Sequence, residues 1–360
     1  MDWQPDPELL EEFGATLAEH SERNSLLESL TLHRWLDLYR GMLRMRLHDI
    51  MLKRWVRQGV ISKAWLGTGE EATTIGPVHA LERDTDVVAP MIRNAGACCE
   101  MGVSIADMLR GYLGTYDSPS KGRDGHVGSF SHRVLQPIST IGDIPPVVAG
   151  IGLYFKMQKK PGVALTWIGD GATKTGPVHE AFNFAAVQRL PVIFVLQNNQ
   201  IALGTRTSAS HLTGTFEDLH EAYGVAGWSF DGNNVLDAFA ATRLAAARCR
   251  AGRGPVFLSA DTFRMGGHAT HDEREARLVI PQSEFVYWGK RDPIGMFEGY
   301  LMENGVTQQR LEHIEEEIIR EVDGEAARAL ASREEEEPAP ASALQDVYAQ
   351  EASSPQPTGS

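Results

Sequence analysis

The sequence predicts an α/β protein: a mostly parallel, doubly wound sheet flanked by helices, with helical extensions at the N- and C-termini. Two short apolar runs, Val163–Ile168 and Val192–Leu196, are typical of strands buried in a parallel sheet. Apolar residues between these runs recur at helical spacing and form one face, namely Val178, Ala181, Phe182, Ala185 and Ala186. Gly176-Pro177 suits the start of that helix, because proline at the first position gives up no needed N–H. Strand, helix and strand together predict a right-handed crossover.

Helices are also predicted on the N-terminal side of this crossover. The first has one apolar face that combines Trp35, Leu38, Tyr39, Met42 and Met45. Ser104 and Asp107 resemble a capping box that opens a second helix. A third, apolar helix follows Pro145 and Pro146 and ends at Lys159-Lys160, whose charges suit the C-terminal end of a helix dipole.

The C-terminal part continues the same alternation. Val235–Ala251 predicts an alanine-rich helix, which Gly252 separates from a strand at Val256–Ala260. A late helix carries an apolar face made of Leu311, Ile314, Ile318 and Val322. We expect three regions: a polar, loosely attached helical arm (1–34), a main domain (35–330), and an acidic, Pro/Ser-rich tail (331–360) whose last ten residues are disordered.

Composition excludes several classes of protein. The net charge of −14 argues against nucleic acid and anionic membrane partners, which would require basic patches. No apolar run approaches the ~18 residues of a membrane span. Three cysteines, two of them adjacent, give neither a disulfide framework nor metal-binding spacing. The acidic N-terminus resembles neither a secretory signal nor a transit peptide, so a bacterial cytoplasmic location is expected.

The most informative motif joins the ends of the two crossover strands. Gly169-Asp170-Gly171 follows the first strand, and after 26 further residues Asn198-Asn199 follows the second. Ligands of open α/β sheets bind at this carboxyl edge, and Mg²⁺ prefers hard oxygen ligands. An aspartate after a strand is usually only a helix cap, but the paired asparagines across a complete crossover favour a metal site. We predict that Asp170, Asn199 and a backbone carbonyl near Ile201 hold a divalent metal on a diphosphate.

The segment from Gly169 to Thr205, GDGATKTGPVHEAFNFAAVQRLPVIFVLQNNQIALGT, resembles the thiamine-diphosphate motif of 2-oxo acid dehydrogenase alpha subunits. The similarity extends from about Leu36 to about Tyr348 and includes GTGEEA at Gly67–Ala72 and RMGGHATHDE at Arg264–Glu273. It implies a thiamine-diphosphate-binding fold over 35–330, with thiamine diphosphate and Mg²⁺ as cofactors. The implied reaction is decarboxylation of a 2-oxo acid, pyruvate or branched-chain, followed by reductive acylation of a lipoyl group.

The resemblance also assigns site residues. Arg93 matches the arginine that reaches the diphosphate, and His268 matches a histidine near the diphosphate and the incoming lipoyl group. Both would orient and stabilise charge, as the catalytic residues of this chain. Main-chain atoms at Ile141 would touch the aminopyrimidine. The remaining cofactor-binding candidates are Ile92, His126, Gly169, Asp170, Gly171, Ala172, Asn199 and Ile201.

Four positions depart from the family pattern. Ile92 stands where the family usually has tyrosine, and Lys174 replaces an asparagine close to the phosphates. Gly128 occupies the place of a family histidine, for which His126 is the candidate substitute. Ala269 replaces the regulatory phosphoserine of mitochondrial relatives, so we expect no phosphorylation switch at that position.

The resemblance further implies that this chain works with partners. The glutamate that activates the aminopyrimidine belongs to a separate beta subunit in the family, whereas Glu70 and Glu71 are predicted to open a helix and pack. We therefore expect an α₂β₂ assembly that serves a lipoyl-bearing acyltransferase, and a chain that is inactive alone.

Three alternatives remain open at this stage. The closest is an acetoin dehydrogenase alpha subunit, which would use the same cofactor site. A nucleotide-binding oxidoreductase is disfavoured because GDGATKTG is not the GxGxxG loop of dinucleotide sites. A non-catalytic paralogue is the third.

Overall fold

A computed structural model of the chain describes residues 6–212 and 216–345. Its helices are α1 (Pro7–Ala18), α2 (Ser21–Glu28), α3 (Leu32–Arg57), α4 (Glu71–His79), α5 (Ala95–Glu100), α6 (Ile105–Leu113), α7 (Ile144–Met157), α8 (Gly176–Gln188), α9 (Thr207–Ser210), α10 (Val235–Arg250), α11 (Glu273–Val279), α12 (Gln282–Lys290), α13 (Pro293–Glu303) and α14 (Gln308–Glu335). Its strands are β1 (Val87–Ala89), β2 (Ala164–Gly169), β3 (Val192–Asn198), β4 (Ile201–Ala202), β5 (Thr205–Arg206), β6 (Ala226–Asp231) and β7 (Val256–Asp261).

Five strands form one parallel sheet in the order β1-β2-β3-β7-β6. The central strand β3 is buried along its whole length, which explains its unbroken apolar sequence. The predicted crossover is confirmed as β2, α8 and β3, and α8 begins at Gly176 as expected. Strand β2 is displaced by one residue from the prediction, and β3 extends to Asn198. The short strands β4 and β5 form a separate antiparallel hairpin.

Helices cover both faces of the sheet, as the doubly wound prediction requires. Alternate strand residues such as Leu165 and Trp167 pack in one cluster with alanines of α10. Their neighbours, including Ile168 and Phe194, pack in another cluster with α7 and α8. Positions that alternate along a strand therefore fill two distinct cores.

A third, helical core attaches the N-terminal arm more firmly than expected. Leu10, Phe13 and Leu17 of α1 are buried in the cluster that also contains α3, α13 and α14. Arg23 of α2 is buried and donates to the Asp237 carboxylate at 2.8 Å. The arm is helical as predicted, but the expected loose attachment is wrong, because Leu10, Phe13 and Leu17 are buried in this core and Arg23 is paired with Asp237.

Element boundaries near the predicted extensions differ in detail. Helix α7 begins at Ile144, so Pro145 and Pro146 lie in its first turn, where their missing N–H groups are not needed. Helix α14 continues to Glu335, past the predicted boundary at 330. The tail then contacts the domain, since the Glu336 carbonyl accepts from the Tyr116 amide at 2.7 Å. The last ten residues lie outside the described part of the chain. Within the described residues, no helix combines the length and apolarity that crossing a membrane requires.

Candidate active site

A cavity of about 530 Å³ opens at the carboxyl ends of β2 and β3, where the motif residues lie. Asp170 immediately follows β2, and Asn199 immediately follows β3. The structure brings all the site residues named from the sequence into the wall of this cavity: Ile92, Arg93, His126, Ile141, Gly169, Asp170, Gly171, Ala172, Asn199, Ile201 and His268. Their roles stay predictions, but their convergence on one cavity is observed.

The Asp170 carboxylate is buried and held by a threonine from a later segment. Thr207, at the start of α9, donates its hydroxyl to Asp170 Oδ2 at 2.6 Å. The β4–β5 hairpin returns the chain to this point, and the Thr207 amide donates to the Gln200 carbonyl at 3.0 Å. Oδ1 makes no hydrogen bond with any described residue. One carboxylate oxygen is therefore fixed and the other is available to a ligand.

Asn199 is oriented by a carboxylate that lies behind the cavity. Its amide nitrogen donates to Glu70 Oε1 at 2.9 Å, and its oxygen accepts from the Ile201 amide at 3.2 Å. The preceding Asn198 has a different task, because it donates to the Asp261 carboxylate at 2.7 Å. Of the two adjacent asparagines, Asn199 is the one that belongs to the cavity wall.

Two buried guanidinium groups give one side of the cavity a positive character. Arg93 donates to the Leu66 carbonyl at 3.1 Å and contacts His268 Nδ1 at 3.2 Å. Arg264 is also buried, and its Nη2 has no hydrogen-bond partner among the described residues. Burial, followed by the nearby Arg93 charge, lowers the pKa of Arg264 to about 10. Arg264 therefore remains cationic at neutral pH, and the two guanidinium groups suit an anionic ligand.

His268 is neutral in this environment. Burial and the charges of Arg93 and Arg264 lower the pKa of its imidazole to about 4. The following loop is organised by Asp272, whose carboxylate accepts from the amides of His268 at 3.2 Å and Ala269 at 2.7 Å. His268 can therefore accept the Arg93 hydrogen bond without adding a positive charge.

A pH dependence of stability follows from this lowered pKa. Because unfolded histidine binds its proton near the ordinary value of 6.5, acidification below that pH favours the unfolded chain until the folded pKa of about 4 is reached. We expect the denaturant midpoint of the parent to fall more between about pH 7 and about pH 5 than that of His268→Gln. Equal falls in both proteins would contradict the neutral, buried imidazole.

Glycine is favoured at the two motif positions, Gly169 and Gly171, for different structural reasons. A Cβ at Gly169 would meet open space, so this residue leaves room beside the cavity. A Cβ at Gly171 would lie 2.6 Å from the Ala202 side chain, which is too close. Gly171 therefore allows the Asp170 loop to pack against the β4–β5 hairpin that carries Ile201 and Ala202.

The departures at Gly128 and Lys174 now have physical explanations. A Cβ at Gly128 would lie 2.5 Å from the Gln136 backbone, so this backbone path excludes any side chain there. His126 lines the cavity instead, and its Nδ1 is held by the Asp124 carboxylate at 2.7 Å.

The expectation that Lys174 lies at the phosphates gains no support. Its ammonium lies over the Phe216 ring at 4.5 Å, and the residue is not part of the cavity wall.

Several residues of the site escaped the sequence-based prediction. Glu70 and Glu71 do open a helix as expected, and Glu71 is paired with Arg46. The side chain of Glu70, however, turns towards Asn199 and makes no capping hydrogen bond. Thr207 and Arg264 were also missed. A signal existed for Arg264, which opens the RMGGHATHDE motif, whereas the contact of Thr207 depends on tertiary structure.

Comparisons with known proteins agree with this geometry. A family model described as "Dehydrogenase E1 component" matches residues 39–339. The 2-oxoisovalerate dehydrogenase subunit alpha of Bacillus subtilis (strain 168) is 32% identical over 327 residues, covering 89% of this chain and 97% of the relative. The 3-methyl-2-oxobutanoate dehydrogenase subunit alpha of Mycobacterium tuberculosis (strain ATCC 25618 / H37Rv) is 34% identical over 301 residues, covering 83% and 78%.

A third relative carries a different substrate in its name. The pyruvate dehydrogenase E1 component subunit alpha of Acholeplasma laidlawii is 30% identical over 288 residues, covering 80% of this chain and 81% of the relative. These similarities do not favour the acetoin alternative and give the nucleotide-binding alternative no support. The resemblance noted in the sequence is confirmed: the chain belongs to the dehydrogenase E1 component family, among its alpha subunits.

Proposed function

We propose that this chain binds thiamine diphosphate with Mg²⁺ and, together with a beta subunit, decarboxylates a 2-oxo acid and reductively acylates a lipoyl group. The observation that carries the proposal is the convergence of Asp170, Asn199, Arg93 and His268 on one cavity at the carboxyl edge of the sheet. Thiamine diphosphate, when bound, supplies the electron sink that lets a 2-oxo acid lose carbon dioxide. The protein supplies binding, orientation and charge.

The donor set of the cavity fits a hard cation that carries a diphosphate. No group of three His, Cys, Asp or Glu side chains suited to a metal occurs in the described ranges, so a cation here depends on amide and carbonyl oxygens beside Asp170. Magnesium accepts such a set, since it usually takes one or two carboxylates and completes its shell with phosphates and water. Arg264 Nη2, which has no partner in the described part of the chain, marks a place where an anionic ligand would satisfy a buried donor.

Each side chain would have a defined task. Asp170, Asn199 and the backbone carbonyl of Ile201 would hold the cation, while Arg93 and Arg264 would neutralise phosphate oxygens. His268 would remain a neutral hydrogen-bonding group beside Arg93. Apolar residues that include Trp65, Ile144 and Leu203 line the rest of the cavity and would exclude water from the reacting centre.

The partner is proposed on two features. Asp170 is the only carboxylate among the described residues that line the cavity, so a second carboxylate for proton transfer must come from elsewhere. Exposed apolar side chains lie at the cavity, namely Ile141 and Leu203, and elsewhere on α7 and α8, namely Val147, Met157 and Val187. Exposed apolar surface of this kind supports docking of another subunit. We propose an α₂β₂ assembly that delivers its acyl group to a lipoyl-bearing acyltransferase.

Reconstitution tests this function. We expect the chain alone to bind the cofactor without turning over substrate, because the described cavity wall offers no second carboxylate for proton transfer. Addition of the beta subunit should produce decarboxylation of pyruvate or 3-methyl-2-oxobutanoate, measured with an artificial electron acceptor. Turnover by the chain alone would contradict the proposal that the beta subunit supplies the carboxylate for proton transfer. Cofactor binding without turnover in the assembled pair would identify a non-catalytic paralogue, and turnover of acetoin alone would revive that alternative.

A bacterial cytoplasmic location also remains a proposal. The relatives from Bacillus subtilis and Mycobacterium tuberculosis support a bacterial origin. The three cysteines are free in the structure, which agrees with a reducing compartment.

A further inference from the structure

Glu70 is a fully buried carboxylate behind the proposed metal site. It stands at the N-terminal end of α4, yet its side chain makes no capping hydrogen bond to that helix. Oε1 accepts from the Asn199 amide nitrogen at 2.9 Å, whereas Oε2 has no hydrogen-bond partner among the described residues. The side chain is therefore directed at the site rather than at its own helix.

Arg93 provides the positive charge nearest to this carboxylate. The distance from Arg93 Nη1 to Glu70 Oε2 is 3.9 Å, which is an ion pair without a hydrogen bond. A buried charge is retained only where other charges or hydrogen bonds compensate it. The chain keeps a carboxyl group here, at the point where Asn199 and Arg93 approach the cavity.

The hydrogen bond to Asn199 has a chemical consequence for metal binding. An ionised carboxylate only accepts hydrogen bonds, whereas an amide side chain has a donating and an accepting end. Asn199 must therefore turn its NH₂ group towards Glu70 and its oxygen away from it. That oxygen accepts only one hydrogen bond from the described residues, from the Ile201 amide, and keeps a lone pair for a cation.

We propose that Glu70 is a positioning residue, which fixes the Asn199 carboxamide so that its oxygen, and not its NH₂ group, faces the divalent cation. This inference rests on the proposed function, because it takes Asn199 as a ligand of the cation. In the absence of Glu70, rotation of the amide would place two hydrogen-bond donors where a cation needs an oxygen.

Glu70→Gln in the full-length chain tests this role. Glutamine keeps the size of the side chain but can donate as well as accept, so it no longer selects one amide orientation. We expect the Mg²⁺ concentration needed for half-maximal binding, at saturating thiamine diphosphate, to rise about tenfold, the effect of one charge-assisted hydrogen bond. The measurement is quenching of tryptophan fluorescence, since Trp65 and Trp167 line the cavity.

The same Glu70→Gln substitution in an Asn199→Asp variant separates loss of the Asn199 amide orientation from simple structural damage. In Asn199→Asp the ligand carries two equivalent oxygens and needs no orientation, and it places a second negative charge beside Glu70. Glu70→Gln introduced into that variant should leave Mg²⁺ binding unchanged or improve it. Glu298→Gln is the control for loss of a buried carboxylate. Glu298 is partly buried, accepts a hydrogen bond from Tyr39 and lies outside the cavity wall.

The Mg²⁺-binding results distinguish failure of the positioning role from failure of the proposed function. Unchanged Mg²⁺ affinity in Glu70→Gln, with a parent that binds normally, would overturn the positioning role and leave the proposed function intact. An equal loss in the Asn199→Asp background would also overturn it, because a structural defect does not depend on residue 199. A parent that binds neither Mg²⁺ nor thiamine diphosphate would overturn the proposed function, and this inference with it.

Discussion

Replacing Asp170 with alanine is expected to abolish Mg²⁺-dependent binding of thiamine diphosphate while leaving the fold largely intact. Asp170 is the one carboxylate in the described cavity wall, and one of its oxygens makes no hydrogen bond with the described residues. Without it, the cation loses the one charged ligand that the described cavity wall offers. Since loss of even an indirect partner of a metal ligand lowers affinity about 10–100-fold, loss of the ligand itself should cost at least that much.

Fluorescence titration with and without Mg²⁺ measures this effect, and the unfolding midpoint reports on the fold. Asp261→Ala is a matched control, because Asp261 ends a strand at the same sheet edge but binds Asn198 and lies outside the cavity wall. We expect the control to retain cofactor binding. Binding by Asp170→Ala that is as tight as in the parent would show that the metal assignment is wrong.

Arg93→Lys is expected to have the second largest effect. Lysine preserves the charge but cannot donate simultaneously to the Leu66 carbonyl, His268 and phosphate oxygens, as the guanidinium fork can. Charge-assisted bidentate hydrogen bonds are about twice as strong as neutral ones, so cofactor affinity should fall about 10–100-fold. The titration used for Asp170→Ala provides the measurement.

Arg206→Lys controls for the general cost of exchanging a bidentate arginine. Arg206 donates to both oxygens of Glu284, at 3.0 and 2.7 Å, outside the cavity wall. It should lose some stability but retain cofactor affinity. If Arg93→Lys bound the cofactor as well as Arg206→Lys does, Arg93 would have no role at the phosphates.

Elements with strong periodicity could be predicted from the sequence. The β2–α8–β3 crossover, the apolar face of α3 and the alanine-rich α10 all rest on local patterns that the structure preserves. The motif residues Asp170 and Asn199 could also be located, because the carboxyl ends of adjacent parallel strands necessarily share one edge. Local pattern and topology together were sufficient for that part of the site.

Other features depend on contacts that no local pattern encodes. The composition of residues 1–34 is polar, so the prediction missed the attachment of α1 and α2, which rests on a few apolar residues and the Arg23–Asp237 pair across 214 positions. The direction of the Glu70 side chain depends on Asn199, which lies 129 positions away. The exclusion of a side chain at Gly128 depends on the path of the Gln136 backbone.

The departures from the family pattern illustrate the same limit. Ile92 lines the cavity as predicted but has no polar group to replace the hydroxyl of the family tyrosine, whereas His126 lines it with a side chain that can form a hydrogen bond. Lys174 was expected near the phosphates because it occupies the position of a family asparagine that lies close to them. Its ammonium instead lies over the Phe216 ring at 4.5 Å and is not part of the cavity wall.

Anomalous diffraction from a crystal grown with Mn²⁺ and thiamine diphosphate tests the central claim most directly. Manganese marks the position of the divalent ion without depending on turnover or on a partner subunit. The account predicts a single strong peak in the cavity, bonded to the Asp170 carboxylate and the Asn199 carboxamide oxygen at roughly 2 Å and to the diphosphate. A peak elsewhere, or a bound diphosphate that touches neither residue, would contradict it.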